Sequence, residues 1–467
     1  MTRALLLAAA LALTAGRLTA QEPTPRDTTR RDTLQVDTVR VDTAVVDTAA
    51  VDTLQAAADS VRQDSLPPAW PRIRVQPAYR RTPHFALDPF RYVLVPHWGL
   101  IVAAGASADN NAINASDIGA LILLNREDSL TAETAIDALG LVPPGKGLLG
   151  VVRAGGSLHL GGPFGRRFSL GFSAQGHGYG SFQLDDDAAA LLRDGNGSRQ
   201  SFSLGQTRGV GLATAEGGVH AVLRFGATGD RPGLRAIVGL GARYLKPVGY
   251  ARGASAISDG GIIRLTGDSI VVHVQAEALS TPDVQAAMKG SGLATDFLLR
   301  LELPRPGLAV EAMLANVGTV KVMGVERRLA TFNVATTSFK EVSDSLDTVD
   351  FAVQDTSDVT VTLPRVLRLA ASMWLLPMLQ LDAAFTASVT GDFAAPSVLE
   401  AGATLRLIRA LPLRIGIVSA GDYGTGLTGG IGIESRVLYL ELSGASLGGS
   451  FKTARGAAGR VEFGLFF

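Results

Sequence analysis

The sequence predicts an all-β fold, a closed antiparallel sheet that crosses a membrane as a transmembrane β-barrel. Three observations predict this fold. The chain begins with the layout of a signal peptide, so we expect it to be exported. No later stretch contains the roughly 18 apolar residues that a spanning helix needs. Segments in which apolar and polar residues alternate recur from residue 98 to the C-terminus, and strands cross lipid only in a closed sheet.

The residues before the barrel are predicted to form three segments. Residues 1–20 have a basic start and an apolar stretch, as signal peptides do. Residues 21–67 repeat the pair Asp-Thr every five residues, a period that builds neither a helix face nor a strand face, so we expect a disordered tail. This tail is either a spacer or binding tail in the periplasm, or a drifting low-complexity repeat. Residues 68–97 are richer in Pro and aromatic residues and are either a linker or an N-terminal plug in the lumen.

Residues 98–467 are predicted to form the barrel, with about 14 strands and a range of roughly 12 to 16. About six tight turns, most containing Pro or Gly, each join two alternating segments, the first of them at 161–163. A barrel of n strands with both chain ends at one rim has n/2 − 1 such turns, which gives about 14 strands. The other connections are longer and polar, so we expect short periplasmic turns and long extracellular loops, the latter mainly at about 175–210, 247–292 and 316–364.

Two long connections contain helix signals. Ser129 is a suitable N-cap for a helix over 130–139, and the acidic residues at 185–187 suit the start of a helix over 188–193. We therefore expect a short helix in each of these connections.

The last strand, residues 457–467, has an apolar face and a polar face. It resembles the terminal strand of bacterial outer-membrane β-barrels, which closes the barrel and is read by the insertion machinery. The resemblance implies that the outer-membrane lipid bilayer and the barrel insertion machinery are partners of this chain. The alternative is an amphipathic strand of a soluble sandwich. The insertion signal would be the alternating apolar residues Val461, Phe463, Leu465 and Phe467.

Charged residues of both signs fall on the predicted inward faces of the strands. They either pair across strands in a hydrated lumen or form a charged constriction that selects solutes. Balanced signs give no net field, which favours pairing. His159, between two leucines, is also expected in a solvated lumen position. The lumen-facing candidates are Arg300, Glu302, Asp382, Arg406, Arg414, Glu441, Arg460 and Glu462.

The remaining motifs give no support for catalysis. Residues 424–429 match a dinucleotide-binding pattern and 444–448 a nucleophile elbow, but neither is followed by a helix, and we expect a strand and a hairpin tip there. The formal charge is zero, from 43 basic and 43 acidic residues, so the sequence indicates no nucleic-acid partner. It has no cysteine, and its histidines are not paired with other ligand types, so it predicts no metal, no cofactor and no enzyme.

Two short motifs point to a family. Residues 191–196 (LLRDGN) and 239–245 (GLGARYL) resemble an uncharacterised family of bacterial outer-membrane β-barrels, labelled only as a domain of unknown function and related to the FadL/PorV-like superfamily. The resemblance covers about residues 95–467. It implies a 14-stranded barrel in the outer membrane. The Asp-Thr tail has no counterpart in that family, and we expect it in the periplasm because both chain ends are placed at the periplasmic rim. The resemblance also implies a passive, porin-like channel or transporter for small solutes, including hydrophobic ones, or alternatively a non-transporting barrel serving secretion or envelope assembly.

Overall fold

The computed structural model describes residues 89–467, apart from 96, 115–146, 195–200, 204, 206, 227–232, 256–261, 267–268, 304–306, 337–351, 377, 389–392, 394–395, 409 and 451–452. The expected signal peptide, the Asp-Thr tail and the first part of the 68–97 segment therefore lie outside the described residues. So does the helix expected at 130–139.

The described residues form one continuous sheet of eighteen strands. Two short helices, α1 (Asp186–Asp194) and α2 (Val284–Met288), and a 3-10 turn at Gly421–Tyr423 complete the regular structure of this part of the chain. The strands are β1 (Gly99–Asn110), β2 (Leu148–Phe164), β3 (Phe168–Leu184), β4 (Ser201–Ser203), β5 (Arg208–Gly226), β6 (Arg235–Ser255), β7 (Ile262–Thr266), β8 (Ser269–Ser280), β9 (Ser291–Leu303), β10 (Leu308–Thr336), β11 (Ala352–Thr362), β12 (Val366–Leu376), β13 (Leu379–Ser388), β14 (Val398–Ile408), β15 (Leu411–Ser419), β16 (Thr425–Glu434), β17 (Leu438–Leu447) and β18 (Gly456–Phe466).

The sheet closes on itself because its first and last strands pair. β1 pairs with β18 from Gly99 opposite Phe466 to Asp109 opposite Gly456, and its other edge pairs with β2. We call the end of the barrel with Gly99 and Phe466 the near rim, and the opposite end the far rim. A closed ring leaves no strand edge to face lipid, which is the condition for a sheet to cross a membrane.

Fourteen strand positions make up the ring. β8 and β9 share one position, because both pair with β6 and with β10. β11 and β12 share another, because both pair with the same edge of β10. β4 and β7 extend from β8 beyond the ring. The closed antiparallel β-barrel and its predicted strand number are confirmed.

The first near-rim turn differs from the expectation. β2 continues through 161–163 to Phe164, and the chain turns at 165–167, where Gly165 has a φ of 86°. A positive φ is open to glycine without steric cost, so the turn forms there. Gly162 serves close packing instead, since a Cβ on it would lie 2.7 Å from the ring of Trp98.

Two of the long far-rim connections contain more strand than we expected: β6 to β8 occupy much of 247–292, and β10 and β11 occupy much of 316–364. β10 alone has 29 residues, whereas a strand needs only about 9–11 to cross lipid. The sheet therefore continues well beyond the membrane layer. Outside lipid a strand needs no apolar face, and residues 353–358 of β11 are exposed on both faces, so the sequence pattern resembles a loop. The helix expected over 188–193 is confirmed as α1.

The outer surface of the barrel carries an apolar belt. On β15, Leu413, Ile415 and Ile417 are 47%, 64% and 55% exposed, while Arg414 between them is buried. A soluble sandwich would hide such a row in a core, so that alternative is wrong. The barrel is built to face lipid. The same alternation holds on the last strand, where the exposed residues are Val461, Phe463, Leu465 and Phe467.

Among the described residues, no helix has both the length and the apolar character to cross a bilayer.

Candidate functional site in the lumen

All of the predicted lumen-facing residues lie on the inner face of the sheet. Arg406 and Arg460 are half-buried. The structure brings most of the set together in two groups, one near the closing strands and one on β9 and β10. Buried members are Arg300, Glu302, Asp382, Arg414, Glu441 and Glu462.

The first group, which we call the seam cluster, is centred on two glutamates that face each other across β17 and β18. Glu441 forms an ion pair with Arg414, with Nη1 and Oε1 2.8 Å apart, and Glu462 pairs with Arg460. The Tyr439 hydroxyl lies between the two carboxylates, donating to Glu441 and lying 3.2 Å from Glu462. The two acids are thus held together by shared donors.

Glu434 extends the seam cluster to β14 and β15. Its carboxylate lies 3.2 Å from Arg414 and 2.5 Å from Arg406. Glu434 was missed in the sequence because we assigned it to a turn, whereas it is the buried last residue of β16. The cluster therefore consists of Arg406, Arg414, Glu434, Tyr439, Glu441, Arg460 and Glu462.

Residues 89–95, which we call the inner segment, lie inside the barrel against this cluster. Arg91 forms a buried ion pair with Glu462, and its Nη2 donates to the Tyr439 hydroxyl at 3.1 Å. The Tyr92 hydroxyl lies 3.2 Å from Glu462 and accepts from Arg460 at 3.0 Å. The segment is buried at Phe90, Arg91, Tyr92, Val93 and Val95.

His159 is not a solvated lumen residue, which corrects the expectation. It is buried, and its ring stacks on Tyr92 with centroids 3.8 Å apart. The inner segment covers it, a contact that no local sequence pattern encodes. Tyr92 thus contacts β2 through His159 and β18 through Glu462, on either side of β1.

A separate cluster, which contains none of the predicted residues, occupies the opposite part of the inner wall. We call it the Arg243 cluster. The fully buried Arg243 guanidinium donates to both oxygens of Asp296 at 2.8 and 2.9 Å, and it also pairs with Glu216. His220 lies 3.4 Å from Asp296, and His177 lies 3.4 Å from Glu216. A bidentate arginine between two carboxylates is a rigid arrangement, and here it links β5, β6 and β9.

Asn316 attaches the Arg243 cluster to a break in the barrel wall. It lies at a bulge in β10 and has a φ of 62°, the positive value that non-glycine residues rarely adopt. Its amide N–H donates to Asp296 at 2.9 Å, and its side chain binds Arg243. Its Nδ2 donates to the Pro364 carbonyl at 3.2 Å, where β11 gives way to β12.

The predicted pair Arg300 and Glu302 belongs to a smaller group at the near rim. Arg300 lies 2.8 Å from Glu302 and 3.6 Å from Glu311. Arg235 contacts Glu302 at 3.3 Å. Asp382 lies on β13 opposite Ser372.

The inner segment also contacts the wall next to the Arg243 cluster. The Phe90 ring is edge-on to His220 with centroids 5.7 Å apart. It packs over Gly239, where a Cβ would lie 2.7 Å from two ring atoms. The inner segment therefore contacts both charged clusters, Phe90 on one side and Arg91 on the other.

Beyond the charged clusters, toward the far rim, the inner wall becomes apolar. β5 runs toward the near rim, so Leu212 lies farther out than Glu216, and on β6 Leu245 lies farther out than Arg243. Buried apolar side chains from several neighbouring strands form one cluster at this level. Its buried members are Leu212, Leu245, Tyr250, Ala294, Val320, Val322, Val325, Val361, Leu363 and Phe393.

The two motif matches lie in strands. Residues 425–434 form β16, which covers most of the dinucleotide-like pattern. Ser446 lies at the end of β17, where we expected a hairpin tip, and its hydroxyl donates to the Gly449 carbonyl at 2.8 Å. In the described part of the chain, no three His, Cys, Asp or Glu side chains are grouped to hold a metal ion.

No protein-family model matches the sequence, and no curated protein matches it. Solved structures resemble it at low identity. The toluene transporter TbuX of Ralstonia pickettii has a TM-score of 0.43 and 10% identity, covering 81% of this chain and 92% of that chain. A Pseudomonas aeruginosa FadL homologue has a TM-score of 0.41 and 10% identity, with the same coverage. The NalP translocator domain of Neisseria meningitidis has a TM-score of 0.28 and 12% identity, covering 90% and 97%.

The fold assignment itself depends on the strand pairing and the apolar belt of this chain.

Proposed function

We propose that this protein is an outer-membrane channel that passively passes small solutes, among them hydrophobic ones. The observation that carries the proposal is the apolar cluster on the inner wall of a closed barrel, beyond the charged clusters. Apolar side chains inside a lumen give a hydrophobic solute a site with little water to displace, and nearby polar groups orient it. The near rim is the periplasmic side, and the expected N-terminal tail is periplasmic.

The last strand supports insertion into that membrane. Val461, Phe463 and Leu465 project outward, as does Phe467 just after the strand, which is the most exposed of the four at 75%. We propose that Val461, Phe463, Leu465 and Phe467 are read by the barrel insertion machinery, since they present one continuous apolar row on the outer face of the strand that closes the ring.

The inner segment supports a plugged resting state. Residues 68–97 are proposed to act as an N-terminal plug, with Arg91 and Tyr92 bound to the seam cluster and Phe90 packed over Gly239. A solute that leaves the apolar cluster toward the periplasm must pass these groups. Opening requires that the Arg91–Glu462 contact separates or that the segment shifts along the wall.

Uptake of a nonpolar fluorescent probe, N-phenylnaphthylamine, by cells with an intact lipopolysaccharide leaflet tests the proposal. Cells that produce the protein should take up the probe faster than cells without it. Val322→Thr replaces one methyl group in the apolar cluster by a hydroxyl of similar size. It should slow probe uptake roughly fivefold, since weakening probe binding by ~1 kcal/mol lowers the occupancy of the site by that factor. Val353→Thr, at an exposed β11 position, is the matched control and should behave as the unmodified protein.

Equal uptake with and without the protein, together with no conductance in planar bilayers, would overturn the channel. That result is what a barrel serving only secretion or envelope assembly would give. We propose no enzymatic role, because the Ser446 hydroxyl is engaged by backbone at the end of a strand, and Ser446→Ala should leave uptake unchanged.

A further inference from the structure

An aromatic cluster lies on the outer surface at the near rim, where β1, β2 and β3 begin or end. The Trp98 and Phe164 rings are edge-to-face with centroids 5.1 Å apart, and the Phe164 and Phe168 centroids are 6.2 Å apart. Gly162 leaves room for the indole, and the indole N–H donates to the Pro163 carbonyl at 3.2 Å. These contacts fix the rings at one height on the barrel, as interfacial aromatic residues are fixed at a membrane boundary.

Two arginines lie in the turn between the two phenylalanines. Arg166 and Arg167 are both exposed, one step farther from the membrane centre than the rings. Within the described residues, no carboxylate forms an ion pair with either guanidinium. The positive φ of Gly165 shapes the turn that presents them. Two exposed cations directly beyond an aromatic boundary lie where lipid phosphates lie.

We propose that Trp98, Phe164, Phe168, Arg166 and Arg167 form a binding site, the rim patch, for an anionic phospholipid of the periplasmic leaflet. The site depends on the membrane placement given in the proposed function. The guanidinium groups bind the phosphodiester in the planar, two-pronged geometry that arginine favours, while the rings contact the upper acyl chains. Phosphatidylglycerol fits because its headgroup has no cation to oppose the two arginines, whereas phosphatidylcholine has one.

Tryptophan quenching by brominated lipid tests the rim patch directly. The variant W70F/W374F keeps Trp98 as the single reporter in the inserted barrel. In brominated phosphatidylcholine its fluorescence is quenched, and replacing part of that lipid by unbrominated phosphatidylglycerol restores fluorescence in proportion to occupancy. We expect phosphatidylglycerol to be favoured about fivefold or more, since a basic residue at an anionic surface contributes ~1 kcal/mol.

Charge removal and two controls make the test specific. Arg166→Gln with Arg167→Gln should bring the lipid preference close to one. Arg252→Gln, an exposed arginine on β6 toward the far rim, should leave it unchanged. A second reporter, Leu376→Trp without the native tryptophans, lies at a near-rim turn whose sequence, 376–379, has no basic residue, and it should show no preference.

A preference of one in the unmodified reporter protein, or an unchanged preference after both arginines are replaced, would overturn the rim patch. If the double variant does not insert, the lipid preference of the unmodified reporter protein is measured with and without added NaCl. An electrostatic site must lose preference in NaCl, and an unchanged preference would overturn the rim patch. Quenching of Trp98 without a preference for phosphatidylglycerol would contradict the rim patch but not the proposed function. A complete lack of quenching of Trp98 would instead contradict the membrane placement and the proposed function with it.

Discussion

Arg91 and Glu462 are 371 positions apart in the sequence and form a buried ion pair inside the barrel. Arg91 belongs to the inner segment before the first strand, and Glu462 belongs to the strand that closes the ring. The Tyr92 and Tyr439 hydroxyls each lie 3.2 Å from the same carboxylate. This contact therefore joins the two ends of the described chain and reports whether the inner segment is docked.

Removing the arginine should release the inner segment. Arg91→Met leaves Glu462 buried with fewer donors, and breaking a buried pair in this way costs on the order of 3 kcal/mol. We expect a higher single-channel conductance in planar bilayers and a lower urea midpoint of the barrel. The double variant R91M/E462L should recover part of the lost stability, because no unpaired carboxylate remains.

Arg436→Met is the control for this experiment, since Arg436 is exposed in the turn between β16 and β17. Unchanged conductance in Arg91→Met would show that the inner segment does not obstruct the lumen. The single variant Glu462→Leu completes the comparison. If the stability changes of Arg91→Met and Glu462→Leu add up to that of the double variant, the two residues are not coupled.

A methyl group at Gly239 should displace the segment from its other end. The added Cβ would lie 2.7 Å from the Phe90 ring, so the ring must leave its site. Gly239→Ala should therefore raise the conductance, and we expect Phe90→Ala to raise it in the same way. Gly217→Ala on the adjacent strand is the matched control, because nothing lies within 4 Å of its added Cβ. Equal behaviour of the two alanine variants would contradict the packing role of Phe90.

Glycine and alanine variants at Asn316 should separate the cost of its positive φ from the loss of its side-chain contacts. Asn316→Gly keeps the positive φ at low cost but loses the contacts with Arg243 and Pro364. Asn316→Ala loses the same contacts and adds strain of about 1 kcal/mol or more. We expect both to lower the urea midpoint, alanine more than glycine. A glycine variant as stable as the natural protein would show that the contacts of the Asn316 side chain contribute nothing to the stability of the barrel.

The C-terminal ring should matter for insertion more than for stability. Phe467 donates its amide N–H to the Trp98 carbonyl at 2.9 Å, a bond that Phe467→Ala keeps. We expect this variant to yield less folded barrel in cells, measured as the fraction with folded mobility in unheated gels. Phe182→Ala, an exposed phenylalanine of β3, should not reduce that fraction. Equal losses in both variants would mean that only apolar area counts.

The strand number could be predicted from the count of tight turns, and the facing of residues from local alternation. Leu413, Ile415 and Ile417 alternate with Arg414, and lipid on one side enforces that pattern. Beyond the lipid the constraint disappears. β11 has the sequence AVQDTSDVTVT, with water on both faces over much of its length, and we expected a loop there.

The charged clusters could be predicted only in part. The inward side of a residue follows from its strand, so Arg414, Glu441 and Glu462 were found. Their partners depend on strand register and bulges, which no local pattern shows. Arg243, Asp296 and Asn316 come from three different strands, and their contact depends on a shift between Leu314 and Val317 in β10. The inner segment was harder still, because its contacts cross nearly the whole chain.

The pairing of β1 with β18 has a consequence for biogenesis. Synthesis makes β1 long before β18, and until β18 is present one backbone edge of β1 has no neighbour in the ring. The carboxylate that receives Arg91 arrives with that same final strand. A polypeptide that stops before β18 would thus lack both the strand that closes the ring and the carboxylate that holds Arg91, so closure of the barrel and docking of the inner segment depend on the same final strand.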